Sequence, residues 1–328
     1  MWKLGNFEIN SKVVLAPMAG ITCRSYREFM IPFGVGVVVT EMVSDMGLIY
    51  GNKETSEYIT FEKTSALTGV QLFGHDVECL KKAAQIAEKA NNCIDFFDVN
   101  MGCPVPKVTK TGAGSALMQN PKLCGDIIRG IKSVTNKPVT AKIRLGWDLK
   151  SINFLEVIKE LEEAGVDMIA IHARTRSELY SGTPHYELLK DLRNKMTVPL
   201  VVSGDIYTLE DAINALEITK ADAVMVARGG VGNPFLIKQI EHYYQTGEKL
   251  LSPSLSEKLK WCEELGQKIA EEKGENVGMR MYRAIAPKFF SGLKNSKKIK
   301  YRLSTELTDL NSLETILNDI KNEEMIDF

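Results

Sequence analysis

The sequence predicts an α/β chain: a (β/α)8 TIM barrel followed by a small helical domain. Three observations carry this. Eight short, near-continuously apolar runs recur up to about residue 227, which is how strands covered on both faces of a parallel sheet read. Helical periodicity lies between them. Near residue 246 the composition shifts: Thr246-Gly247 and Ser252-Pro253-Ser254 read as a linker, and no convincing strand follows.

The eight runs are Val13–Ala16, Val35–Thr40, Leu67–Leu72, Asp95–Asn100, Val139–Ile143, Met168–His172, Leu200–Ser203 and Ala223–Val226. Asp76–Ala90 has Leu80, Ala83, Ala84, Ala87 and Ala90 on a 3.6-residue period. Pro121–Val134 begins after Asn120, an N-cap with Pro in the first turn. Ser151–Ala164 carries Phe154, Leu155, Ile158 and Leu161 on one stripe and ends at Gly165, and Thr208–Leu216 and Pro234–Tyr244 follow the last two strands. A doubly wound sheet needs fewer strands and a G-x-G-x-x-G turn after the first; Pro17-Met18-Ala19-Gly20 does not fit it. Residues 1–245 are thus expected to form the barrel and 254–328 the helical domain.

The chain has 328 residues, 44% apolar, enough for one large core. Its net charge is −1, so any contact with nucleic acid must come from a local patch. The N-terminus does not read as a signal peptide, and runs such as Val35–Val39 are too short to cross a bilayer. A soluble, cytoplasmic protein is expected, with no membrane partner. No protein partner is evident, which is compatible with a monomer. The six cysteines are scattered, without a C-x-x-C pair or a His at zinc-ligand spacing. No metal site is expected, and five of the six are read as buried free thiols.

In such a barrel the active site is built at the C-terminal ends of the strands. Those ends carry Pro17-Met18-Ala19, Glu41, Gln71, Asn100, Lys142 with Arg144, His172 with Arg174, Ser203-Gly204-Asp205 and Ala227-Arg228-Gly229. Two amides, one Lys, one His and several Arg converge on one face. The last two loops are Gly-rich and lead into helices, the usual phosphate site of these barrels. Lys142 and His172 could reach an aromatic ring above the mouth, and Gln71 its polar edge. A flavin fits, and so does another phosphorylated ring.

The fourth strand is the sharpest signal. It ends Asn100-Met101-Gly102-Cys103-Pro104, which puts a thiol at the barrel mouth in a rigid turn. A thiol of ordinary pKa is mostly protonated at neutral pH and can donate a proton. Gly112-Ala113-Gly114 reads as a flexible loop leading into a helix. Beyond the linker, Arg280, Arg283, Lys288, Lys294, Lys297, Lys298, Lys300 and Arg302 occur with no acid among them, interleaved with Tyr282, Phe289, Phe290 and Tyr301. A basic run inside a neutral protein points to phosphate contacts.

Five segments resemble the bacterial tRNA-dihydrouridine synthases, most closely their B-type branch: Leu15-Ala16-Pro17-Met18-Ala19-Gly20-Ile21-Thr22, Gly69-Val70-Gln71-Leu72-Phe73-Gly74, Asn100 to Pro104, Ala141-Lys142-Ile143-Arg144 and His172-Ala173-Arg174-Thr175-Arg176. The resemblance runs from about residue 5 to 304. It implies reduction of uridine to dihydrouridine in the tRNA D-loop, with FMN as cofactor and NADPH (or NADH) as reductant. Hydride would go to C6, and Cys103 would protonate C5. Pro17, Met18 and Ala19 would line the flavin. Gln71, Lys142 and His172 would lie at its ring, and Ser203, Gly204, Asp205, Ala227, Arg228 and Gly229 would hold its phosphate. Asn100, Arg144 and Arg174 would contact the flipped uridine, and the helical domain would grip tRNA. The family usually has Asn where this chain has Ser203, Asp at Cys23, and Gly-Arg-Ala-Ala at 227–230. The alternatives are another FMN barrel, such as a dihydroorotate dehydrogenase, or a non-catalytic RNA-binding protein.

Overall fold

The computed structural model describes residues 1–293 and 295–326. Eight parallel strands close into a barrel: β1 (Val13–Leu15), β2 (Val37–Val39), β3 (Leu67–Phe73), β4 (Phe96–Asn100), β5 (Val139–Ile143), β6 (Met168–His172), β7 (Leu200–Ser203) and β8 (Ala223–Val226). Each pairs with its neighbours in chain order, and β8 pairs with β1 through Val224↔Val13, Met225↔Val14 and Val226↔Leu15. All eight predicted runs are strands, shorter than predicted at several ends.

Because successive side chains point to opposite faces, each strand feeds two cores. Val14, Ala16, Val37, Val39, Phe96, Met168, Ala170, Val201 and Met225 fill the barrel lumen, and Trp2, Leu4 and Ile9 of an N-terminal hairpin close it from below. Small and large residues alternate there: a Cβ on Gly69 would meet the Phe96 ring at 2.2 Å. The intervening residues, such as Leu15, Val70, Val99, Ile143, Ile171 and Val202, pack outward against the helices.

The barrel's helices of seven residues or more are α1 (Arg24–Met30), α2 (Val77–Ala90), α3 (Pro121–Lys132), α4 (Phe154–Glu163), α5 (Leu209–Thr219) and α6 (Phe235–Thr246). Three of them start where a side chain satisfies a free N–H group. Asp76 accepts from the Cys79 N–H at 2.8 Å, Asn120 from that of Leu123 at 3.2 Å, and Thr208 and Asp211 form a capping box. Between β6 and β7 there is no α-helix, only two short 3-10 turns, Tyr186–Leu189 and Leu192–Lys195.

After the linker come α7 (Leu255–Lys273), α8 (Glu275–Tyr282), α9 (Ser296–Thr305) and α10 (Leu310–Ile326). They dock on α1 and the segment after it. Ser25 donates from its N–H to Glu272 at 2.6 Å and from its hydroxyl to Lys268 O at 2.8 Å. Phe33 packs edge-on to Trp261 at 5.3 Å and Phe29 to Phe289 at 6.5 Å. Among the described residues no helix is long and apolar enough to cross a membrane.

Candidate active site

The strand register decides which side chains reach the barrel mouth. Val99, Ile143, Ile171 and Val202 face the helices, so their neighbours Asn100, Lys142, His172 and Ser203 face the axis at its C-terminal end. There they line a cavity of about 330 Å³, together with Pro17, Met18, Ala19, Cys103, Arg144, Gly204, Asp205, Ala227, Arg228 and Gly229. Two of the sequence-predicted residues, Gln71 and Arg174, do not line it. Tyr180 and Tyr207 do. The sequence reading missed both; their only signal was an aromatic residue in a strand-end loop.

Gln71 lies fully buried beneath the mouth in a directional chain of hydrogen bonds. The Thr140 hydroxyl donates to Asp98 Oδ1 at 2.6 Å, and Gln71 Nε2 donates to Asp98 Oδ2 at 2.6 Å. That leaves Gln71 Oε1 to accept from Asn100 Nδ2 at 2.8 Å. Asn100 Oδ1 is therefore the end that accepts from the N–H groups of Cys103 at 2.8 Å and Gly102 at 3.2 Å. Asn100 shapes the cysteine turn. From the other side Ser115 donates to Cys103 O, from its N–H at 3.1 Å and its hydroxyl at 3.0 Å. The Gly112–Gly114 segment is thus tied down where it leads into its helix. It enters a 3-10 turn, Gly114–Gln119, packed on Cys103, where a Cβ on Gly114 would meet Cys103 O at 2.8 Å.

Burial pushes the Cys103 thiol above its ordinary pKa, against the opposing charges of Arg144 and Lys142. It is a neutral thiol in the cavity wall. Lys142 is pushed down from 10.5 to about 8, first by burial and then by Arg144, with Asp98 opposing. Its ammonium has no hydrogen-bond acceptor among the described residues. His172 is held well below its ordinary value by burial and by four cations, Lys142, Arg144, Arg174 and Arg228. It is neutral.

The arginines divide by role. Arg144 donates to Gly102 O at 2.8 Å, Thr175 O at 2.7 Å and Leu179 O at 2.8 Å, tying the cysteine turn to the loop after β6. Arg174 is fully buried and donates to Ser181 O, Gly182 O and Asp205. Arg228 is half exposed, donates to Asp205 Oδ1 at 2.6 Å, and stacks between Tyr180 at 5.2 Å and Tyr207 at 5.8 Å. Burial would raise the Asp205 carboxyl, but Arg174 and Arg228 outweigh it and hold it low. The N–H groups of Gly204 and Asp205 have no acceptor among the described residues. Gly229 must be glycine, since a Cβ would meet Ile206 O at 1.9 Å. A partnerless ammonium at one end and free N–H groups beside an arginine at the other suit a planar, phosphorylated anion.

The basic run after the linker is mixed. Arg280, Lys288, Lys297 and Lys298 are exposed and Lys300 is half-buried, whereas Lys294 lies outside the described residues. Arg283 donates to Leu307 O at 2.7 Å, and Arg302 pairs with Glu306 and Asp319, both at 2.9 Å. Those acids lie beyond the run, where the linear pattern does not show them. Tyr282, Phe289 and Phe290 are core residues, while Tyr301 is exposed. Of the other cysteines, Cys23, Cys124 and Cys262 are buried as expected, but Cys79 and Cys93 are only half-buried. Among the described residues no His, Cys, Asp and Glu group could hold a metal ion.

Residues 14–324 match the family model described as Dihydrouridine synthase (Dus). The chain is 36% identical over 301 residues, 92% of each chain, to a "Probable tRNA-dihydrouridine synthase" of Rickettsia bellii. It is 34% identical over 281 residues to "tRNA-dihydrouridine synthase B" of Shewanella oneidensis, covering 86% of this chain and 87% of that one. Among solved structures it resembles a 2-naphthoyl-CoA reductase (TM-score 0.54, 13% identity, 73% of this chain and 51% of that one). It also resembles a 6-hydroxypseudooxynicotine amine oxidase from Pseudomonas geniculata (TM-score 0.56, 13% identity, 74% and 49%). The chain spans about half of each of these two, and at that identity they speak to the barrel fold alone. The family match covers nearly the whole chain and includes the turn that carries Cys103, and the chain belongs to the dihydrouridine synthase family.

Proposed function

We propose that this chain reduces uridine in tRNA to 5,6-dihydrouridine, with FMN as its bound cofactor and NADPH (or NADH) as reductant. The observation that carries the reading is the Cys103 thiol: neutral, at the cavity wall, in a turn held by Asn100 and Ser115.

A flavin bound in this cavity would supply hydride for C6 of the uracil ring. Lys142 and His172 would face its ring, the ammonium offsetting negative charge there. Gly204, Asp205, Arg228 and Gly229 would hold its phosphate, and Pro17, Met18 and Ala19 would line one side. The target base must leave its stack to enter the mouth. Cys103 then protonates C5, and its raised pKa keeps the proton available throughout the neutral range. Asn100 acts on Cys103 by fixing the turn. Arg174 acts by holding the loop after β6, since its donors already serve carbonyls and Asp205; Arg144 holds that loop through Nε and Nη1 and keeps Nη2 for the uridine at the cavity wall. Residues 1–245 carry the chemistry, and residues 254–328 grip tRNA through exposed cations such as Arg280, Lys288 and Lys297.

The test is direct. Protein reconstituted with FMN and supplied with NADPH should convert unmodified tRNA to tRNA containing dihydrouridine, read by mass spectrometry of nucleosides. Protein that binds no FMN, or FMN-loaded protein that forms no dihydrouridine in any tRNA, would overturn the reading.

A further inference from the structure

We infer that Arg176, stacked on Trp147 at the barrel mouth, is a binding site for a backbone phosphate of the RNA beside the flipped uridine. This rests on the function proposed above and adds a contact to it.

The guanidinium of Arg176 lies over the Trp147 ring at 4.4 Å. Its Nε is buried and has no hydrogen-bond partner. Its two terminal nitrogens make no hydrogen bond or ion pair with the described residues, and neither is among the buried partnerless atoms, so they reach solvent. The neighbouring carboxylates are taken. Glu178 accepts from the Thr175 N–H at 2.8 Å, from its hydroxyl at 2.7 Å and from His185 at 2.6 Å. Asp148 accepts from the Lys150 N–H and the Ser151 hydroxyl, both at 2.9 Å. A half-buried cation held in one plane and lacking an anion is unfavourable in the free protein. An anion arriving from outside removes that penalty.

The position selects which anion. The loops after β5 and β6 are clipped together, with the Arg176 N–H donating to Gly146 O and the Ser177 N–H to Trp147 O, both at 2.9 Å. Thr175, the preceding residue, is tied through its carbonyl to Arg144, and Arg144 to Gly102 O beside Cys103. Arg176 thus sits on rigid backbone two steps from the cysteine turn. An RNA strand that delivers a base to Cys103 brings its own phosphates to that rim. A planar guanidinium, fixed by an aromatic face, presents two parallel donors that match phosphate oxygens.

The experiment is tRNA binding by FMN-loaded protein against salt concentration, together with steady-state kinetics. Arg176→Gln should lower the slope of log affinity against log salt by about 0.7 to 0.9 and weaken tRNA binding about 10-fold. KM for tRNA should rise. The flavin spectrum and the rate of flavin reduction by NADPH should not change. Arg176→Lys should keep the slope but bind several-fold more weakly, because charge remains and the planar fork is lost. An unchanged slope in Arg176→Gln would overturn the proposal and leave Arg176 as a packing partner of Trp147, visible as a lower melting temperature. Should Arg176→Gln fail to fold, wild-type affinity in Arg176→Lys would overturn it equally. Wild-type protein that shows no salt-dependent binding to tRNA would instead sink the proposed function.

Discussion

Lys142 offers a prediction whose size follows from its surroundings. Its pKa falls from 10.5 to about 8 because this half-buried ammonium is desolvated beside Arg144 and has no hydrogen-bonded anion. At 1.36 kcal/mol per pKa unit, that difference is roughly 3 kcal/mol against the charged form. The sign follows from linkage: the unfolded chain keeps this lysine protonated to higher pH than the folded one. Below about pH 8 both states carry the proton, and the folded state bears the full penalty. Between about 8 and 10.5 the folded chain has released it, so stability of the apoprotein should rise with pH through that window. Binding FMN should oppose the trend, because the carbonyl edge of its ring gives the ammonium the hydrogen-bond acceptor it lacks and so favours the charged form. FMN affinity should therefore be pH-independent below about 8 and fall by up to tenfold per pH unit above it, with proton uptake on binding. Fluorescence titration of apoprotein with FMN from pH 7 to 9.5, beside thermal melts, measures both. Lys142→Met should flatten both profiles. Wild-type FMN affinity that stays constant from pH 7 to 9.5 would refute the placement of this ammonium against the cofactor.

Three further outcomes are expected. Cys103→Ala should fold, bind FMN and accept hydride from NADPH at the normal rate. Its reoxidation by tRNA should slow about 10²- to 10⁴-fold, whereas Cys79, Cys93, Cys124 or Cys262 changed to Ala should leave turnover nearly intact; rapid mixing of the two half-reactions separates these cases. Arg228→Ala removes a charge-assisted donor at the glycine-rich end of the cavity, and equilibrium dialysis should show FMN binding weakened about 10- to 150-fold. Replacing Lys294, Lys297, Lys298 and Lys300 together by Ala should reduce the salt slope of tRNA binding by about 0.7 to 0.9 for each lost contact, with flavin content unchanged; an unaltered slope would make this stretch a solvated surface.

Local pattern determined much of this protein. Short, near-continuously apolar runs specified the eight strands, and with them the fact that Asn100, Lys142, His172 and Ser203 share one end of one barrel. The Gly102-Cys103-Pro104 turn marked the thiol at the barrel mouth before any neighbour was known. Partnership was decided only by the tertiary structure. Gln71 reads as a cofactor contact, yet Asp98 and Asn100 across the sheet hold its amide below the cavity floor. Arg174 reads as a donor toward a base, yet loop carbonyls more than five residues away take its N–H groups. Arg283 and Arg302 belong to an acid-free run, but Leu307 O and the acids at 306 and 319 reach them once the helices fold back. A strand's period fixes which face a side chain takes, but its partners come from other segments. A polar group keeps its donors for a ligand only where no other segment arrives first, and that depends on packing which one linear sequence does not display.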